Sequence, residues 1–212
     1  MLLNRIAGLL IGLKPHFLTS PDWPENDSHF LVNQMSKAGM AIGDFRLLSL
    51  GDYCSSYQQR LARLASLQHG LRISDAEMAL LVQAYQFKLA PDYENFPAKR
   101  FLHELLPQLE AFFIFATRQL LGPSAGELND VTEAVALWEQ QYAATLGAEM
   151  AALRASMVLL CFSVRSGNSP LDAAMLQTAA SRFPGISGDK SEMERYSELR
   201  SLLIQEWEEK CH

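Results

Sequence analysis

The residue best placed by type and surroundings to do chemistry is His103, flanked by Phe101, Leu102, Leu105 and Leu106. An imidazole in an apolar setting can act as a proton acceptor or as an axial haem ligand. The same pattern also describes a histidine at the edge of a core, bonded to a backbone carbonyl, because structural surroundings perturb titratable groups too. Phe101, Phe112 and Phe113 share its segment, and Trp138 and Tyr142 follow in the next. If the segments 98–121 and 131–165 pack together, these aromatics line a pocket between helices with His103 as its polar handle. Glu104 and Glu110 lie on the same segment as His103, and one helix alone cannot assemble a convergent site.

Other chemistry is thinly represented. The sequence has no GxxxxGK[ST] loop, no GxGxxG and no HExxH, which removes the familiar phosphate-cradling, dinucleotide-binding and zinc-peptidase arrangements. Glu-x-x-His sets a carboxylate and an imidazole one turn apart in di-iron bundles. Here it occurs as Glu209…His212, at the end of the sequence, where helices fray. Asp27-Ser-His29 reads as a helix cap beside a surface histidine, since aspartate is a preferred cap. Cys54, Cys161 and Cys211 are odd in number and far apart. They form no CxxC pair, so neither a zinc site nor a dithiol motif is indicated, and such sparse cysteines suit a reducing compartment, read as the cytoplasm. No metal or cofactor is expected.

Two loops carry the better functional hint. Pro21–Asp27 holds Asp22, Trp23 and Glu25, and Pro91–Pro97 holds Tyr93, Glu94 and Phe96. Both open on proline and combine acids with large aromatics, the mixture from which protein interfaces draw anchors. The alternative is that the aromatics fold back as lids over the core. From Asp189 to Lys210 seven acids face four bases, as on a solvated outer face. Overall, 18 Lys+Arg against 24 Asp+Glu give a formal charge of −6. That balance suits a partner with a basic face. Nucleic acid is not expected, because the nearest thing to a basic stripe, Arg60, Arg63 and Arg72, is diluted by neutral residues and reads as solvated helix arginines.

The elements that must position these residues are helical. The 212 residues are 49% hydrophobic and 20% charged, enough for a substantial core in one domain. Apolar residues recur at helical spacing almost throughout, and no alternating run argues a strand. Leu2–Leu13 is apolar but far short of the 18 or so residues that span a bilayer. The following Lys14-Pro15-His16-Phe17 offers no leader cleavage site, so the segment reads as a short helix packing on the body. A membrane-surface helix is the alternative, poorly served by one Arg and one Lys. Ser74-Asp-Ala-Glu77 is a capping box opening a helix that Pro91 ends. Asp130 and Ser191 open two more, the first running uninterrupted by proline from Val131 to Arg165, about 35 residues and roughly 50 Å. Gly147 is its weak point. Further helices are expected from Ser28 to about Ile42 with Asp27 or Ser28 as cap, from Tyr53 to His69 with Gly70 as left-handed terminator, from Ala98 to Leu121 with a kink or split at Pro107, and from Pro170 to Arg182. Gly8…Gly12 and Gly39…Gly43 each clear a strip for a close neighbour, though this spacing is diagnostic only in a membrane.

The stretch Leu80–Phe113 is loosely similar to the opening helices of bacterial globins, and Leu137–Tyr142 to a globin's last helix. The segment Ile114–Ala136 is too short to hold the helices that carry the distal and proximal haem residues, and contains no histidine. The resemblance is set aside and no family is assigned. The expectation is therefore an all-α, single-domain bundle of about seven or eight helices with one long central helix. Its expected function is protein–protein interaction, as an adaptor, chaperone, inhibitor or immunity-type partner, without a transmembrane segment and compatible with a homo-oligomer. The alternative is a ligand-binding domain built on the aromatic pocket. An enzyme ranks third, because no convergent acid, base and nucleophile can be named.

Overall fold

The computed structural model describes residues 2–20, 22–122, 127–165, 169–183, 186 and 189–211. Among the described residues lie ten helices and one isolated antiparallel bridge, Val164–Leu171, so the all-α class holds. The helices are α1 (Leu2–Gly12), α2 (His16–Thr19), α3 (Glu25–Ser49), α4 (Tyr57–Leu67), α5 (Asp75–Leu89), α6 (Ala98–Leu121), α7 (Val131–Leu146), α8 (Ala148–Phe162), α9 (Ala173–Ala180) and α10 (Glu192–Cys211). The chain divides into two compact units, Met1–Arg5 with Pro24–Leu109, and Ile6–Trp23 with Glu110–His212.

In the first unit α3, α4 and α5 pack pairwise. The approach of α3 and α5 depends on the glycine strip. A Cβ on Gly39 would sit 3.1 Å from the Ala84 Cβ, and one on Gly43 would sit 2.6 Å from Leu64 Cδ1. Leu31, Met35, Ile42, Leu64, Leu81 and Phe101 are fully buried around this contact, each side chain contributing about 1.5–3 kcal/mol through burial. The Ser74 hydroxyl accepts from the Glu77 amide at 3.1 Å. The Glu77 carboxylate takes two bonds from Arg46 of α3, at 2.8 and 3.0 Å, so half of the capping box becomes a tie between helices.

In the second unit α8 packs on α7, α9 and α10 and is almost wholly buried from Ala151 to Phe162. The apolar N-terminal segment packs here: Ile6, Leu9, Leu10 and Leu13 are fully buried. Its closing carbonyls are taken by α10. Tyr196 Oη donates to Leu13 O at 3.0 Å, and Arg200 donates to Leu10 O at 3.0 Å and to Ile11 O. A cation at a helix C-terminus satisfies orphan carbonyls and opposes the helix dipole. Ser191 and Glu194 form a complete capping box at the start of α10, with Ser191 N donating to the carboxylate at 2.9 Å and Glu194 N donating to Ser191 Oγ at 3.3 Å.

Several boundaries differ from the sequence reading. The expected long helix is two, because Gly147 adopts φ +82, a conformation that interrupts the helical ladder and that glycine reaches freely. With the one-turn α2, this brings the helices to ten. α3 begins at Glu25, directly after Pro24, with no side-chain cap from Asp27 or Ser28. It runs through Gly43 to Ser49, converting most of the expected 43–51 loop into helix. α4 starts at Tyr57, where Ser56 Oγ accepts from the Gln59 amide. The left-handed residue beyond it is Arg72, at φ +54, and Gly70 is not left-handed. α6 continues through Pro107, and α9 is shorter than expected, capped by Asp172. Pro21, His212 of the Glu209…His212 pair and parts of the expected 122–130, 166–169 and 183–190 loops lie outside the described residues.

Candidate functional site

The residues read as a ligand pocket have varied surroundings. His103 lies on the exposed face of α6, which corrects its expected apolar setting: positions 101, 102, 105 and 106 turn inward, and 103 turns out. Phe101 is fully buried and packs on Phe96, ring centroids 5.0 Å apart. Phe112 and Phe113 are buried in the second unit, the latter edge-on to Phe162 at 6.0 Å. Trp138 is buried and stacks on the half-buried Tyr142 at 5.1 Å. Among the described residues no group of three or more His, Cys, Asp or Glu side chains is placed to hold a metal ion.

The two acidic loops take different forms. Asp22 is exposed and its amide donates to Ser20 Oγ at 3.1 Å, while Trp23 is half-buried edge-on against Phe17 at 4.7 Å. Glu25 is exposed in the first turn of α3. The 91–97 loop is pinned from within. Tyr93 packs against His29 at 4.1 Å and edge-on to Phe87 at 5.1 Å, and its hydroxyl accepts from Asn33 Nδ2 at 2.5 Å. Phe96 lies edge-on to Phe87 at 4.9 Å. Both aromatics are half-buried, and Glu94 between them is exposed. Asn95 donates twice to Asp92, from its backbone at 3.1 Å and its side chain at 2.8 Å. These bonds hold the Asp92 carboxyl below its ordinary range.

This loop walls one end of a groove along the outer face of α5. One part, about 450 Å³, is lined by Gln83, Gln86, Phe87, Leu89, Asp92 and Phe96 among others. The adjoining part, about 510 Å³, shares Gln83 and Gln86 and continues over Val82, Ala79 and Met78 to Asp75 and Gln68. The floor is apolar, and Leu89 is 43% exposed. No lysine or arginine lines either part, and an aspartate stands toward each end. A polar groove of about 660 Å³ lies between the 51–54 turn and α4, lined by Asp52, Tyr53, Cys54 and Arg63, and a smaller one lies on α10 around Glu194 and Glu198.

Sequence reasoning missed a buried ionic cluster. Arg60, read as a solvated arginine, is 4% exposed. Its Nη1 donates to both oxygens of Asp44 at 2.7 and 2.8 Å, and Nη2 donates to Ser55 O at 3.0 Å. Tyr85 Oη donates to the same carboxylate at 2.5 Å. The guanidinium lies over the rings of Tyr53 and Tyr57, at 4.7 and 4.4 Å. Burial works against the charge on Arg60, but Asp44 overrides it and the group is held above its ordinary value. Burial, followed by donation to Asp44, pushes the Tyr85 hydroxyl up. A signal was present: Arg60 stands one turn before Leu64 on the inward stripe of α4, whereas Arg63 does not. With so many bonds satisfied within the protein, the cluster serves to fix the 51–56 turn and α4 onto α3 and α5. No family model matches this chain, and no curated protein or solved structure is similar enough to lend it a family or a function.

Proposed function

We propose that this chain acts by protein–protein contact, as an adaptor or inhibitor-type partner in the cytoplasm, and that the groove on α5 with its 91–97 wall is the contact surface. The observation that carries the reading is the groove itself. Apolar floor is exposed at Ala79, Leu89 and Ala90 and half-buried at Val82, rimmed by amides and acids with no base among its lining. Exposed apolar surface with a polar rim is the anatomy of an interaction site. Tyr93, Glu94 and Phe96 enter this reading in two roles. The aromatics hold the wall in place through Phe87, and Glu94 adds negative charge beside it. The acidic net charge and the sparse cysteines agree with a basic partner in a reducing compartment.

The test is a photo-crosslinking amino acid placed at Gln86, in the groove, or at Glu208, exposed on α10, with the protein expressed at low level in its own source. A single adduct of fixed stoichiometry from Gln86, absent from Glu208 and lost when Gln83→Arg is added, is the expected result. No adduct from Gln86, or the same adducts from both positions, overturns the reading.

A further inference from the structure

Resting on that reading of the α5 groove as a protein contact, we infer that its occupant is an extended peptide segment of about seven residues, with a basic side chain at each end. The length follows from the helix that forms the groove. α5 has 15 residues, about 22 Å at 1.5 Å per residue, and a strand covers that distance in roughly seven residues at about 3.3 Å each. The end charges follow from the aspartates. Asp75 stands at the α5 N-terminus and Asp92 beyond its C-terminus, each in a different part of the groove and with no base in the lining. Asp92 is locked in its turn by Asn95 and kept ionised.

Chain conformation follows from what lies between the two acids. Gln83 and Gln86 occupy the shared middle. Carboxamides offer both donors and acceptors. A helical partner has already paired its backbone groups internally and presents only side chains, whereas an extended segment presents unpaired N–H and C=O groups that need such partners. The floor between the amides is small and apolar at Ala79, Val82 and Ala90, which suits alternate apolar side chains of a strand. The acids, the spacing and the amides thus select one kind of occupant.

The experiment uses the full chain and two pooled heptapeptide libraries, with lysine or with glutamate fixed at both ends and five randomised positions between. The lysine library is expected to be enriched on the protein, and its best member, labelled with fluorescein, to bind at least about tenfold more tightly than the same peptide with glutamate ends, a difference that shrinks with added salt. N-methylation of its central amides should weaken binding about tenfold, the scale of one or two lost hydrogen bonds. Gln86→Arg, at an exposed position, should abolish most of the binding while leaving the helical circular dichroism unchanged. Equal enrichment of both libraries, no enrichment of either, or indifference to N-methylation overturns the inference. So does tighter binding by a helix-stabilised peptide of the same charge. A specific Gln86 crosslink with no library enrichment overturns the extended basic segment alone and leaves the contact surface standing. Loss of both overturns both.

Discussion

Arg60 of α4 and Asp44 of α3 form an ion pair in which a single guanidinium nitrogen reaches both carboxylate oxygens, at 2.7 and 2.8 Å, with side-chain exposures of 5% and 13%. Sixteen residues separate them in the chain, and Tyr85, a further 41 from Asp44, completes the cluster from α5. Three helices are thereby fixed through one carboxylate. Three directional donors, two from Arg60 and one from Tyr85, meet the Asp44 carboxylate and the Ser55 carbonyl, and they add a directional constraint to the packing of α4 on α3 and α5.

Removing one partner of this cluster should be far worse than removing all of it. Arg60→Ala leaves the Asp44 charge buried with Tyr85 as its remaining donor, and breaking a buried pair in this way costs about 3–5 kcal/mol. Replacing the three together with apolar residues of similar volume, Asp44→Leu, Arg60→Met and Tyr85→Phe, should cost much less than the single change. Urea unfolding followed by circular dichroism measures both. A cost for Arg60→Ala below about 1 kcal/mol, the range of an exposed pair, would show that the cluster does not hold the helices.

Gly43 and Leu64 should behave as a coupled pair. An alanine Cβ at position 43 would come within 2.6 Å of Leu64 Cδ1 and within 3.4 Å of Leu81 and Tyr85, and Leu64 is fully buried, so it has little room to withdraw. Overpacking costs about 1–3 kcal/mol, against about 1 kcal/mol gained in helix propensity, leaving a net loss of about 1 kcal/mol for Gly43→Ala. Leu64→Ala alone should cost about 2–5 kcal/mol, and the double variant less than the sum by about 1 kcal/mol. Strict additivity of the two changes would refute the close approach.

What could be read from the sequence was whatever is fixed by neighbours in the chain. The Ser74, Asp130 and Ser191 caps, the α6 limits and the 91–97 loop all rest on residues within a turn or two of each other, and all stand where expected. The break at Gly147 depends on the sign of one dihedral, for which spacing carries no signal beyond the glycine itself. α3 outran its expected end because Gly43 is chosen by α4 and α5, which are distant in sequence. The candidate site divides the same way. Its wall was legible as an acidic aromatic loop, but the groove was not, because its floor is the outer face of a helix whose inner stripe dominated the pattern. Arg60 was missed for the complementary reason: an arginine was read by its type when its register beside Leu64 pointed inward.

Alkali should destabilise the fold, with a defined share traceable to two groups. Burial pushes the Cys161 thiol up to about 12, from an ordinary value near 8.5. Burial, then the nearby Cys161, also pushes the Tyr196 hydroxyl up, while that hydroxyl donates to Leu13 O at 3.0 Å. A folded-state value above the unfolded one means that the native protein holds its proton more tightly. The contribution is complete below the unfolded value and is lost as pH rises from there toward the folded one. The urea midpoint should therefore hold steady through neutrality and fall from about pH 8.5 upward. Cys161→Ala should flatten the first part of that fall, and Tyr196→Phe the later part above about pH 10, at a uniform loss of about 1 kcal/mol for the missing hydrogen bond. Alkylation of Cys161, mapped by peptide mass, should proceed no faster than global unfolding. A midpoint that rises with pH, or a slope that neither variant alters, would show that these groups are not held in their neutral forms by the fold.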